Sequence, residues 1–180
     1  MNLTNNIKPR KEAERLGFDV IYIEPKKIEK YNACYRVEYR GQKIYPPAAD
    51  ELGIPLNEIW ISERLKEFEK YILYHELQEI KHRASGLDVR TAHEKALEDE
   101  KIFQGDPKWE ELKREINLAP EEVLTEVKGV GEEIFEIIMK NRPYHTLEEL
   151  HEVPLVGPNI YKRLKEETWS MYQGSTHKDS

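Results

Sequence analysis

The amino-acid sequence predicts an α+β fold, in which a small antiparallel β-sheet and two long helices precede an all-α unit. Short stretches before residue 63 are rich in β-branched and aromatic side chains, and helical stripes of apolar residues follow up to residue 103. After residue 117 a helical segment with closely spaced glycines is repeated. We therefore predict a first domain over residues 1–116, a second domain over 117–172 and a flexible tail over 173–180.

Several short strands are predicted in the first part of the chain. The segments FDVIYIE (18–24) and CYRVEYR (34–40) carry apolar residues in the manner of strands. Arg40-Gly41-Gln42 is suited to a hairpin turn into KIYPP, where two prolines should end the pairing. A further strand, EIWIS (58–62), directly precedes the first long helix.

The two long helices follow from apolar residues at steps of three and four and from signals at their ends. The first helix is predicted over about 63–83, with Gly86 just past its end. Asp88 is suited to cap the second helix, over about 89–103. Because the connection is short, we expect the two helices to pack antiparallel. A short helix over about 107–116 closes the first domain.

Composition narrows the class of protein. The chain of 180 residues has a formal net charge of −7, which disfavours broad, non-specific binding to nucleic acid. No apolar run approaches the ~20 residues of a membrane span, and the amino terminus lacks an apolar signal segment. Cys34 is the single cysteine, which excludes an intramolecular disulfide and a cysteine zinc motif. We therefore expect a cytoplasmic protein without membrane contact, and the composition is typical of thermophiles.

Polar side chains interrupt the two helical stripes at positions where leucines would be expected. His75, Glu79 and His82 continue the stripe of the first helix. His93 and Glu100 lie in the stripe of the second helix. Such a stripe normally faces the core, where a carboxylate must be paired, hydrogen-bonded or bound to a metal. The pattern therefore predicts a metal site between the helices, although a helix rich in Lys and Glu also accumulates these residues by chance.

The spacing indicates how a metal could be held. His75 and Glu79 lie one helical turn apart and can converge on one ion. His93 would add a third ligand and leave a fourth position open, as catalytic zinc requires. Glu76 projects beside these residues, where a carboxylate can take a proton from water.

Two further residues leave alternatives open. Glu100 can be a ligand, a hydrogen-bond partner of His93 or a surface carboxylate. His82 can be a ligand, or it can interact with carbonyl groups at the helix end. Glu79 and His82 also have the E-x-x-H spacing of a di-iron carboxylate bundle, but such a bundle needs a second unit of this kind and two further glutamates.

The region around these residues resembles the catalytic core of zincin-type metallopeptidases over roughly residues 54–103. The motif HELQE (75–79) is similar to H-E-x-x-H, with glutamate in place of the second histidine. The segment AHEKALEDE also resembles small peptidases whose second helix reads A-H-x-x-A-x-x-x-E. The resemblance implies one Zn²⁺ per chain, a polypeptide substrate that pairs with EIWIS as an edge strand, Glu76 as the catalytic base and, as metal ligands, His75, Glu79 and His93.

The second domain contains an internal repeat. VKGVGEEIFEII (127–138) aligns with VPLVGPNIYKRL (153–164), and each copy has a helix before and after a tight turn. This closely resembles the tandem helix-hairpin-helix module of competence-type DNA receptors and DNA repair proteins. The resemblance implies sequence-independent DNA binding through backbone N–H groups and nearby lysines, by Lys128, Gly129, Val130, Gly131, Val156, Gly157 and Lys162.

Two features oppose DNA binding by this module. Leu155 stands where the first copy has Gly129, which should stiffen the second turn. Residues 119–180 also contain 12 acidic and 7 basic side chains, and acidic residues lie beside the first turn. The alternative is a module that keeps the fold for protein docking or for structure alone.

These observations lead to a DNA-associated, zinc-dependent metallopeptidase-like protein as the first functional hypothesis. The alternative is a non-enzymatic DNA-binding or scaffolding protein with a structural metal. An open coordination position would indicate an enzyme, whereas four protein ligands would indicate a structural role. A nuclease is a weaker third hypothesis, because paired Mg²⁺ ions prefer oxygen ligands and histidines dominate this cluster.

Overall fold

The computed structural model describes residues 3–28 and 30–173 and has a mixed α+β architecture, which confirms the predicted class. Packing divides the chain into two compact units, Met1–Asp106 and Pro107–Ser180. The domain limits at 116/117 stay a prediction. In the part of the chain that is described, no helix is both long and apolar enough to cross a membrane.

The sheet of the first unit, as far as the described residues show it, has four strands in the order β1-β4-β2-β3. The strands are β1 (Asp19–Ile23), β2 (Ala33–Tyr39), β3 (Gln42–Ile44) and β4 (Glu58–Ser62). The β2–β3 and β2–β4 pairs are antiparallel, but β1 pairs with β4 in parallel. The sheet is therefore mixed, and the prediction of an antiparallel sheet was wrong. The long connection between β1 and β4 permits parallel pairing, and local sequence patterns do not reveal it.

Strand β4, the EIWIS segment, is an interior strand. Ile59 is opposite Val20 of β1 on one side and Tyr35 of β2 on the other. Both edges of β4 are therefore occupied by neighbouring strands, and the prediction that this strand pairs with an extended substrate was wrong. The buried side chains of Ile59 and Ile61 fit the interior position.

The predicted hairpin turn after β2 is confirmed. Arg40 and Gly41 form the two-residue connection between Tyr39 and Gln42, and both have positive φ (51° and 77°). Positive φ at both central residues is the signature of the type I′ turn, whose twist matches that of the flanking strands. Glycine adopts this conformation freely, whereas Arg40 does so at a small cost.

The helices of the first unit begin with α1 (Pro9–Arg15), α2 (Pro25–Ile28) and α3 (Ala48–Leu52), which are followed by α4 (Glu69–Ala84) and α5 (Val89–Asp99). The two long helices are shorter than predicted, because residues Glu63–Phe68 and Glu100–Phe103 are 3₁₀-helices. Their end signals are confirmed. Gly86 follows α4 with φ of +106°, and the Asp88 carboxylate accepts a hydrogen bond from the Thr91 N–H at 2.8 Å.

Helix α4 is buried against the sheet and against α5. On the sheet side, the buried Tyr35 and Val37 of β2 alternate with Cys34, which packs with α3 on the other face. The start of α4 contacts the chain beyond the end of α5, and a later turn of α4 contacts α5 itself: Tyr71 meets Phe103 in the 3₁₀-helix after α5, whereas His75 meets His93. The two helices are therefore antiparallel, as the short connection predicted.

The second unit is helical. Its described residues, up to Gln173, form α6 (Pro107–Leu112), α7 (Glu121–Leu124) and α8 (Glu132–Lys140), a 3₁₀-helix (Leu147–Glu152) and α9 (Pro158–Glu167). Its core includes Ile116, Leu124, Ile138 and Leu164, all with no exposed surface. Gln173 is tied to this unit because its side-chain oxygen accepts a hydrogen bond from the Leu147 N–H. The rest of the predicted flexible tail, 174–180, lies outside the described residues.

The two copies of the predicted repeat have the same backbone conformation. Gly129 and its counterpart Leu155 both have positive φ, 97° and 71°. Gly131 and Gly157 are both extended and cap the helices that follow. Leucine therefore adopts the left-handed turn that glycine adopts in the first copy, although this costs about 1–2 kcal/mol for a residue with a Cβ atom. Leu155 preserves the shape of the second turn.

We expect Gly129→Ala to destabilise the second unit by about 2 kcal/mol, because alanine is strained at positive φ. A Cβ atom on residue 129 would also lie 3.0 Å from Cγ1 of Ile160. Gly131→Ala is the matched control, since Gly131 has a φ of −99° and open space at the Cβ position. It should cost only about 0.5–1 kcal/mol, because alanine caps a helix less well than glycine. Urea unfolding of both variants measures this difference, and equal losses would contradict the explanation.

Candidate metal centre

Helix α4 carries the candidate site because the helix is buried on more than one side. Its buried residues include His75, Glu76 and Glu79 as well as the apolar Leu73 and Leu77. A helix that packs against both a sheet and a second helix buries more than one stripe, so adjacent positions such as His75 and Glu76 are both enclosed. Their polar groups therefore need partners within the protein.

Helix α5 approaches α4 closely because it presents small side chains. Ala92 and Ala96 have no exposed surface. Alanines at a helix contact allow the axes to come together, which lets the His93 ring reach across to α4. The ring centroids of His75 and His93 are 4.8 Å apart. Half of the His93 side chain, 53%, remains exposed, so the site borders the surface.

Three donor atoms converge at this point, and they belong to His75, Glu79 and His93. Nε2 of His75 lies 3.2 Å from Nδ1 of His93, and both nitrogens approach Oε2 of Glu79, at 3.3 and 3.2 Å. The three atoms thus form a nearly equilateral triangle. This group can hold a metal ion.

The size of the triangle discriminates between coordination geometries. Ligands about 2.05 Å from a tetrahedral ion lie about 3.3 Å apart. Ligands at right angles around an octahedral ion at the same bond length would lie about 2.9 Å apart. The observed separations of 3.2–3.3 Å are closer to the tetrahedral value. Two nitrogens and one carboxylate oxygen are also donors that zinc accepts.

Further contacts orient two of these residues. The Tyr35 hydroxyl donates a hydrogen bond of 2.9 Å to Oε1 of Glu79, the oxygen outside the triangle. Oε2 of Glu100 lies 3.5 Å from Nδ1 of His75, the ring nitrogen that points away from the triangle. Carboxylate and hydroxyl groups in such positions fix the ring orientation and ligand basicity in metal sites. Glu100 is therefore close to His75, rather than to His93 as one predicted alternative had it.

The charges around the triangle favour a bound cation. Glu76, Glu79 and Glu100 are all at least nine-tenths buried. Burial would lower the pKa of His75, but Glu100 and Glu79 raise it to about 10. Burial would raise the pKa of Glu79, yet its hydrogen bonds with His75 and His93 hold it well below the ordinary value. A divalent ion held by neutral imidazoles would replace the proton on His75 and add one net positive charge beside these carboxylates.

Glu76 differs from the other two carboxylates because no hydrogen-bond donor reaches it among residues 3–28 and 30–173. Its side chain is only 8% exposed. Burial, followed by the negative charge of Glu79, raises the pKa of Glu76. Its oxygens are not among the fully enclosed polar atoms that lack a partner in the described chain, so the carboxylate borders solvent and can act on a water molecule at the site.

Other residues near the site were not all foreseen. His82 lies outside the triangle, since its Nε2 contacts Oδ2 of Asp99 at 2.6 Å. Gln78 donates a hydrogen bond to the same oxygen. Tyr35 was missed because it comes from a strand and no local motif marks it. The period-two pattern of β2 indicates that Tyr35 faces the core, but not which group its hydroxyl meets.

The residues predicted to bind DNA fall into two groups. Lys128, Gly129, Gly131 and Lys162 are exposed, and Gly157 is half-buried. The side chains of Val130 and Val156 are buried in the core of the second unit, so only their backbone could reach a ligand. Glu132 and Glu133 are exposed in the first turn of α8, beside the first hairpin.

Comparison with known proteins adds no further assignment: no protein-family model, curated protein or solved structure matches this chain.

Proposed function

We propose that the protein is a zinc-dependent metallopeptidase-like hydrolase that associates with DNA. The observation that carries the proposal is the triangle of His75 Nε2, Glu79 Oε2 and His93 Nδ1, with the donor-free carboxylate of Glu76 on the same helix. Three protein donors are the number that catalytic zinc sites use, whereas structural sites use four.

In this proposal His75, Glu79 and His93 hold the ion. Zinc bound by such a set would polarise the carbonyl group of the substrate and lower the pKa of a water molecule. Glu76 accepts the proton that the attacking water loses and returns it to the leaving amine. Its raised pKa suits this role, because a general base with a pKa nearer to neutrality can both accept and donate a proton at working pH.

The exposure of half of the His93 side chain supports the proposal that the substrate is a large molecule. A site on the surface can accept a segment of a polypeptide chain, whereas enzymes for small molecules usually enclose most of the ligand. Because β4 lies inside the sheet, substrate pairing with that strand is not part of the proposal.

The direct test is zinc loading followed by a peptidase assay. Metal-washed protein should take up one zinc per chain, measured by elemental analysis, and should then cleave a fluorescently labelled unfolded polypeptide. Removal of the zinc with a chelator should abolish cleavage and re-addition should restore it. Failure of the protein to take up zinc would contradict the proposal, as would equal cleavage with and without the metal.

DNA association is supported by the matched conformation of the two hairpins. An extended glycine precedes the helix in both copies, which suits phosphate, although Pro158 leaves the second copy without an N–H group at its first helical position. The exposed Glu132 and Glu133 weaken the attraction of the first hairpin for phosphate, because they add negative charge beside it.

We predict that Lys128→Ala together with Lys162→Ala weakens binding to a labelled DNA duplex and makes it less sensitive to salt. Each lost phosphate contact should lower the slope of log K against log salt by about 1. Fluorescence anisotropy between 50 and 200 mM salt, chosen to span the range in which such contacts act, measures both effects. Lys26→Ala together with Lys27→Ala in α2 is the control. Equal slopes for wild type and hairpin variant would contradict hairpin binding.

The alternative function is a non-enzymatic DNA-binding or scaffolding protein with a structural metal. It would require a fourth protein ligand, and Glu100 is a further carboxylate that contacts a triangle residue. Because Glu100 lies at the opposite nitrogen of the His75 ring, this arrangement favours the enzyme over the scaffold.

A further inference from the structure

The two oxygens of the Glu79 carboxylate have different partners. Oε2 belongs to the triangle with His75 and His93, whereas Oε1 accepts the hydrogen bond from Tyr35. A carboxylate can bind a metal through one oxygen or through both. The partner of the second oxygen therefore influences how many coordination positions the residue occupies.

Tyr35 is held in place by its surroundings. It lies in β2, opposite Ile59 of the interior strand β4, and its side chain has no exposed surface. A side chain that is packed on all sides in a sheet has little freedom to withdraw its hydroxyl from Glu79.

We infer that Tyr35 is a positioning residue that restricts Glu79 to a single metal-binding oxygen and so keeps a fourth coordination position open. The inference rests on the metal site of the proposed function and deepens it. A hydrogen bond to Oε1 stabilises charge on that oxygen and fixes the tilt of the carboxylate, which holds Oε1 away from an ion at the triangle. Without the hydroxyl, the carboxylate can rotate and present both oxygens.

A second tyrosine in the same unit provides a matched control. The Tyr71 hydroxyl donates a hydrogen bond of 2.8 Å to Oδ2 of Asp106, and the Tyr71 side chain is also buried. Tyr71→Phe thus removes the same type of contact, a buried phenol bonded to a carboxylate, away from the triangle. It should cost similar stability but leave the metal site unchanged.

Cobalt is the appropriate probe, because the visible absorption of Co²⁺ depends on its coordination number. We expect the full-length wild type and Tyr71→Phe to give the intense bands of four-coordinate Co²⁺. Tyr35→Phe should give the weaker bands of a five-coordinate ion, as the second Glu79 oxygen binds. Its dissociation constant for zinc should also rise by about tenfold, at the lower end of the effect of such outer contacts.

Identical cobalt spectra for wild type and Tyr35→Phe would overturn the inference. If Tyr35→Phe does not fold, X-ray absorption of zinc-loaded wild type decides: one Glu79 oxygen bound supports the inference and two bound oxygens overturn it. These measurements do not require catalysis. A spectral change in a protein that cleaves no polypeptide would support the role of Tyr35 and contradict the peptidase, whereas a wild type that binds neither metal would overturn both.

Discussion

His93→Ala is expected to leave the first unit folded and to remove most of its affinity for zinc. His93 supplies one of the three donor atoms, Nδ1, but half of its side chain is exposed. Its loss should therefore create no large cavity in the core, since the packing of α5 depends on the buried Ala92 and Ala96. The variant thus separates metal binding from folding.

The expected size of the effect follows from the number of ligands. Structural zinc sites with four ligands bind with about 10–16 kcal/mol, so one ligand contributes roughly 3 kcal/mol. Its removal should weaken zinc binding at least about 100-fold. Competition titration with a chromogenic chelator measures this change. Zinc should raise the unfolding midpoint of the wild type, because it binds the folded state, and should raise that of the variant much less.

Two further variants make the comparison decisive. His82→Ala removes a histidine from the same helix pair that lies outside the triangle, so it should bind zinc as the wild type does. His75→Ala should lose zinc as well as stability, because Glu79 and Glu100 would both lose their contacts with a buried partner. Equal zinc affinity for His82→Ala and His93→Ala would contradict the assignment of the site.

The three residues that could hold a metal ion could be predicted from the sequence because their meeting depends on local geometry. The helical period places His75 and Glu79 on one face, and the short connection through Gly86 and Asp88 fixes the direction of α5, which carries His93. In the structure, donor atoms of these three residues lie within 4.8 Å of one another. Equivalent local signals predicted the hairpin at Gly41 and the left-handed turn at Gly129.

Other features depend on contacts between distant segments, and the sequence did not reveal them. The interior position of β4 depends on β1, which joins it from far along the chain through parallel pairing. Tyr35 meets Glu79 across 44 positions, and a tyrosine in a strand is ordinary in the absence of that contact. Leu155 has the left-handed conformation between the buried Val153 and Val156, and a leucine at this position gives no local signal for that conformation.

Glu76→Gln is expected to abolish turnover while zinc stays bound. Glutamine has the same shape as glutamate but cannot accept a proton, and Glu76 is not one of the three triangle residues. Loss of general acid–base catalysis typically lowers the rate by about 10²–10⁴-fold. The measurement is the rate of polypeptide cleavage by zinc-loaded variant and wild type, with the zinc content of both determined in the same samples. Full activity of the variant would rule out Glu76 as the base.

The stability of the metal-free protein provides the control for folding of this variant. Because the pKa of Glu76 is raised above its ordinary value of 4.5, the folded state favours the protonated form. Below pH 4.5 the free energy of unfolding of the wild type is therefore at its full value as far as Glu76 is concerned. It falls as the pH rises through the raised pKa, because the carboxyl group must then ionise inside the protein. Glutamine does not ionise, so Glu76→Gln should be more stable than the wild type at pH 9, by about 1 kcal/mol or more. A variant that is inactive yet more stable at alkaline pH has lost a proton acceptor. A variant that is inactive and less stable owes its inactivity to a damaged fold.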